Sequence, residues 1–197
     1  MKTIVISAAI LLLFSLSASR RPPKDNCGSY RWAVKTLTDP GGKSVFGMTP
    51  TSTTMEALVN ATRTAPDRES DENNRYADEK KIVKIEVTIK EIKQEKLDHD
   101  FHIVLMSGNY TMVGEIPDGG GCSVFSSHPA LAKHFDDLRT LVVNKIGFTP
   151  GEGLRQVGIK ATIEGVPFWD EMSADHKPTG SAANQHEIHP IISVTFH

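Results

Sequence analysis

Residues 81–116, KIVKIEVTIKEIKQEKLDHDFHIVLMSGNYTMVGEI, decide the fold. Val83, Ile85, Val87 and Ile89 alternate with Lys84, Glu86, Thr88 and Lys90, the period of a strand with one buried face. Residues 94–100 then form a loop, and residues 101–106 a second, mostly apolar strand. Ser107-Gly108-Asn109 makes a tight turn into a third strand over residues 110–116. The loop between the first two strands carries an acid–histidine cluster, Asp98-His99-Asp100-x-His102.

Toward the C-terminus, turn chemistry at residues 117–121 ends the third strand. A helix is expected over residues 128–145, capped by Ser126 or Ser127, with Pro129 in its first turn. Leu131, Phe135, Leu138 and Val142 recur at helical spacing and make one apolar stripe, and Gly147 closes the helix. His134 and Arg139 fall on its polar side. Alternation at Ile159, Ala161 and Ile163 marks a fourth strand over residues 157–166. A loop over residues 167–187 follows, then a fifth strand over residues 188–196, broken near its start by Pro190. Three strands, one long helix, then two strands is the order of an OB-like five-stranded Greek-key barrel. The class expected is mainly β (α+β), with the barrel at residues 80–197.

Residues 1–19 have the parts of a signal peptide: Lys2, an apolar run at residues 4–16, and the small residues Ser17-Ala18-Ser19. The apolar run falls short of the about 20 residues a bilayer needs. The expectation is a secreted or periplasmic protein with no membrane span after signal cleavage. Residues 20–79 form an N-terminal extension. Residues 30–37 fit either a short strand or an irregular segment packed on the barrel wall. Thr53 and Glu56 fit a capping box before a short helix. Residues 63–78 read as a long exposed loop. In an exported chain the only two cysteines, Cys27 and Cys122, make one disulfide.

The formal net charge is −2, with no basic stripe, which argues against a strong electrostatic nucleic-acid binder. Candidate site residues gather in two loops that flank the binding face of an OB barrel. Asp98, His99, Asp100 and His102 belong to the first, and Asp170, Asp175, His176, His186, Glu187 and His189 to the second. Asp100-x-His102 and Glu187-x-His189 each set a carboxylate and an imidazole on one face of a strand. Together Asp100, His102, Glu187 and His189 are a candidate ligand set for a divalent metal. The same pairs also suit carboxylate–histidine hydrogen bonds or acid–base work, and their ordinary role at a strand end is structural. Trp169, in the second loop, is a candidate for stacking on a ligand. No nucleophile elbow, phosphate-binding glycine loop or H-E-x-x-H motif is present.

Four stretches resemble a family of secreted bacterial proteins of unknown function. They are the WAVKTLTD start at residues 32–39, D-x-H-I-V-L at 100–105, E-I-P-D at 115–118 and E-I-H-P-I-I at 187–192. The resemblance implies export and supplies no activity. The function expected is an exported OB-like binding or interaction module of unknown ligand, without catalysis. The alternative is a metal-dependent, nuclease-like secreted hydrolase with its site in those loops.

Overall fold

The computed structural model describes residues 27–63, 73–171 and 179–197. The expected signal peptide, the first residues of the extension, and Asp175 and His176 lie outside the described residues. The chain is mainly β with a few helices. Helices α1 (Trp32–Lys35), α2 (Gly42–Phe46) and α3 (Met55–Val59) surround a short strand, β1 (Thr51–Ser52). They precede β2 (Val83–Gln94), β3 (Phe101–Ser107) and β4 (Tyr110–Ile116). The long helix α4 (Pro129–Ile146) leads to β5 (Arg155–Trp169) and β6 (His186–Phe196).

The six strands form one mixed sheet, ordered β1-β2-β3-β4-β6-β5, and β2 also pairs with β5. All these pairings are antiparallel except β1 with β2 and β4 with β6. The alternation in β2 sends Ile85, Val87 and Ile89 into the core, where Ile103, Leu105, Met112 and Ile163 meet them. The alternate positions of β3 and β4 are also covered, and Val104 and Val113 are buried. The segment before β6 lies directly on β3: a Cβ on Gly180 would sit 2.6 Å from Val104 Cγ1. Burial on both faces explains why β3 reads as a continuous apolar run rather than an alternating one.

Helix α4 packs Phe135, Leu138, Val142 and Ile146 inward, with Leu131 half-buried at the margin. Gly147 ends it in the left-handed region that glycine tolerates best. The N-cap is His128, with no side-chain cap, because Ser126 and Ser127 belong to the preceding 3-10 turn. Pro129 at the first position has no N–H, which leaves the helix start one unpaired donor fewer.

Several local expectations are corrected. Residues 32–35 are helical, the turn being closed by bonds from Val34 and Lys35 N–H to the Arg31 carbonyl. Thr54, one residue later than expected, caps α3 and accepts from Ala57 N–H at 3.1 Å. Thr53 is held instead by its own N–H on the Lys84 carbonyl, beside the β1–β2 pairing. Thr54→Ala should therefore cost about 1 kcal/mol and Thr53→Ala less in urea unfolding; the reverse order would move the cap back. Arg75, expected in an exposed loop, is buried: its guanidinium bonds the Asp39 carboxylate and the Val34 and Glu79 carbonyls. Strand β6 is not broken at Pro190. The β5–β6 register jumps from Gly165↔Ile191 to Pro167↔Ile188, so Pro190 has no partner to which it owes an N–H.

The extension belongs to the same body as the strands that follow. Trp32, Leu37, Val45, Met55 and Leu58 are part of the main core. Arg31 makes a two-pronged ion pair with buried Glu79, at 2.7 and 2.6 Å. The Cys27–Cys122 disulfide is formed, with Cα atoms 4.8 Å apart, as the two cysteines of the sequence predict. No described helix is long and apolar enough to cross a membrane.

Candidate functional site

The loop after β2 and the segment before β6 meet, and their acids and histidines gather on β3, β4 and β6. Antiparallel register sets His102 of β3 opposite Glu115 of β4. The parallel contact of Gly114 with Ile188 brings β6 alongside, so that His189 reaches the same carboxylate. Glu115 is the hub. Its Oε1 lies 2.9 Å from His102 Nδ1 and its Oε2 3.2 Å from His189 Nδ1.

Each imidazole faces polar atoms on both nitrogens. His102 Nε2 donates to the Thr179 carbonyl at 3.0 Å, while Nδ1 faces Glu115 and, at 3.4 Å, Glu95. Both nitrogens of His102 thus point at acceptors, the arrangement that favours imidazolium. Burial opposes that charge, but Glu115 outweighs it and raises the His102 pKa. His189 Nδ1 also meets Glu187 Oε1 at 3.2 Å, and its Nε2 faces Asp100 Oδ2 at 3.3 Å. The rings of Trp32 and Phe168 flank it, with centroids 5.9 and 6.0 Å away. Burial and the charge of Lys35 disfavour a charged His189, yet the three carboxylates prevail and lift its pKa well above the ordinary histidine value.

The carboxylates respond in opposite directions. Burial would raise Glu115, but the two histidines and Lys35 hold it well below its usual range. Asp100, fully buried, is pushed up to about 7 by desolvation, with Asp98 and Glu115 adding to the rise and His189 resisting it. Asp100 Oδ1 is occupied by Asp118 N–H at 3.0 Å. Glu187 is raised by burial against the pull of Lys35, which bonds it at 3.3 Å and Asp170 at 3.0 Å. The Lys35 ammonium pKa is itself raised, because Glu187, Asp170 and Glu115 outweigh burial.

Asp100, His102, Glu187 and His189 therefore share one neighbourhood, but they are not one ligand set. Among the described residues the groupings able to hold an ion are Glu95–His102–Glu115 and Asp100–Glu115–His189. Asp98 stands at the edge, its Oδ1 accepting from Asp100 N–H at 3.2 Å. His186 points elsewhere: its Nδ1 donates to the Leu58 carbonyl and its ring stacks on Trp169 at 4.0 Å. Trp169 is 2 % exposed, so its ring is spent on that stack and offers no open face to a ligand.

Sequence reasoning missed Glu115, Lys35 and Glu95. Glu115 did leave a trace, as the one charge within the apolar third strand. Lys35 left none, since a lysine out of step with Trp32 and Val34 in a short strand-like segment reads as solvated. Arg139 was assigned to the polar side of α4. It is buried instead, its guanidinium 3.8 Å from the Phe101 ring centroid and bonded to the His99 and Ile116 carbonyls.

No protein-family model, curated protein or solved structure matches this chain. The site is read from its own chemistry. It is a largely buried network in which Lys35 and two histidines, His102 and His189, are set among acids. Such a network holds one arrangement of α1, β3, β4 and β6, because an unpaired member would cost several kcal/mol.

Proposed function

We propose that the protein is an exported OB-like barrel that works as a binding or interaction module, without catalysis. The observation that carries this reading is the burial of the candidate catalytic groups. Asp100 and His189 are 0 % exposed and His102 1 %, and each faces another side chain of the cluster. A hydrolase must bring its base within hydrogen-bond reach of substrate, and these groups are turned toward one another instead.

The barrel reading is supported by the pairing order. Strands β2, β3, β4, β6 and β5 pair successively and β5 returns to β2, with β4 and β6 parallel and the long helix between β4 and β5. An OB-like five-stranded Greek-key barrel would have this pairing order. The disulfide supports export, since such bonds persist in oxidising compartments.

The rival reading, a metal-dependent hydrolase, draws on the convergence of acids and histidines. A direct assay separates the two. Single- and double-stranded DNA, RNA and a chromogenic phosphodiester are incubated with wild type and with His102→Ala/His189→Ala, in magnesium, manganese or zinc. No turnover by wild type above the variant's level is expected. Turnover that the double variant loses would replace the binding module with the hydrolase.

A further inference from the structure

We infer that Asp100, Glu115 and His189 form a structural site for one divalent transition-metal ion of the zinc type, oriented by Glu187. The inference goes beyond the binding-module reading and does not depend on it.

Two buried atoms carry it. Asp100 Oδ2 and His189 Nε2 make no hydrogen bond to any described residue, although both residues are fully buried. They face each other at 3.3 Å. Their sister atoms are already engaged. Asp100 Oδ1 accepts from Asp118 N–H, and His189 Nδ1 donates to Glu187 Oε1, which Lys35 holds from its other side. Two buried polar atoms this close, one of them a carboxylate oxygen, need a positive charge between them. A proton on His189 Nε2 meets that need poorly, because the contact makes an ion pair but no hydrogen bond. A metal ion meets it well: ligand atoms bonded at 2.0–2.1 Å to a tetrahedral centre stand about 3.3 Å apart.

The surroundings fit the same assignment. One ligand atom each of Asp100, Glu115 and His189 lies within 4.8 Å of the other two, and Glu115, whose Oε2 stands 3.2 Å from His189 Nδ1, is the third residue of the group. Carboxylate–histidine–metal is the usual way to fix a ligating imidazole, and Glu187 stands where that orienting carboxylate belongs. One imidazole and two carboxylates suit zinc, or manganese with lower affinity. The walls are the Trp32 and Phe168 rings, so the ion would tie β3, β4 and β6 together rather than meet substrate.

The second grouping, around His102, is the weaker one. The imidazole there is satisfied on both nitrogens by Thr179 and Glu115, and Glu95 Oε1 is occupied by Lys93 Nζ at 2.6 Å.

The test uses the full disulfide-bonded chain, refolded with or without equimolar zinc chloride because the gap is closed in the folded state. After exhaustive dialysis, wild type is expected to keep one zinc per chain and to melt at a higher temperature than the chelator-treated sample. Refolding with cobalt is expected to give the visible absorption of a tetrahedral N/O site. Asp100→Asn should weaken zinc by about 100-fold or more, since even an orienting partner such as Glu187 is worth about 10–100-fold. Glu95→Gln, outside the triad, should leave affinity within about twofold of wild type. Should Asp100→Asn fail to fold, the wild-type stoichiometry, melting shift and cobalt spectrum decide alone. Zinc absent from refolded wild type, with no melting shift, overturns the inference: the gap then holds a proton. Zinc lost in Glu95→Gln would overturn it too, by moving the ion to His102.

Discussion

Lys35→Met is expected to destabilise the protein by about 3 kcal/mol, the lower end of the range for removing one partner of a buried ion pair. Methionine keeps the length and apolar stem of lysine, so the loss isolates the charge. Without it, Glu187 and Asp170 confront each other, and only His189 Nδ1 remains against Glu187. The lower end applies because the Asp170 side chain is 27 % exposed and water can take up part of the deficit. Equilibrium urea unfolding measures it. The double variant Lys35→Met/Glu187→Gln should recover at least about 1 kcal/mol of the single loss, as directly contacting partners do in a double-mutant cycle. A single variant within about 0.5 kcal/mol of wild type would mean that the ammonium is solvated and the network does not need it.

Removing the disulfide, as Cys27→Ala/Cys122→Ala, is expected to cost roughly 4–5 kcal/mol in the chain-entropy account, in which a longer closed loop releases more unfolded-state entropy. The bridged residues are 95 apart in sequence, so the bond constrains nearly half the chain. It also anchors the segment that delivers Trp32, whose indole N–H lies 3.0 Å from Cys122 Sγ and whose ring covers His189. A red shift of tryptophan emission should therefore accompany the lower melting temperature. A stability loss under about 1 kcal/mol, with unchanged emission, would show that packing alone seats the extension.

Residues near in sequence were largely legible. The period-two run in β2, the turn at Gly108 and the stripe from Phe135 to Val142 each depend on neighbours within a few positions, where local geometry leaves little choice. The two cysteines named their own bridge, because the sequence holds no third cysteine that could pair with either. The meeting of the two loops followed from element order. What sequence could not place was anything set by a partner far along the chain. Residues 32–35 carry strand-like side chains, yet they are helical in a segment fixed by Cys122 and by Arg31 on Glu79. Arg139 sits on a helix whose surface reads as solvated, but Phe101 and two carbonyls wait beneath it. His186 and His189 are three residues apart and alike on the page. Strand alternation, the jump in the β5–β6 register and the neighbours each one meets send His186 to Leu58 and Trp169, and His189 to Asp100 and Glu115. Sequence by itself determined the five long strands, though not the short β1, and which helix is amphipathic and which loops hold the acids and histidines, because those follow from local periodicity. Only the tertiary structure decided that Glu115 joins the two histidines and that Lys35 balances them, because a buried charge is set by what folding packs around it and not by its neighbours in the chain.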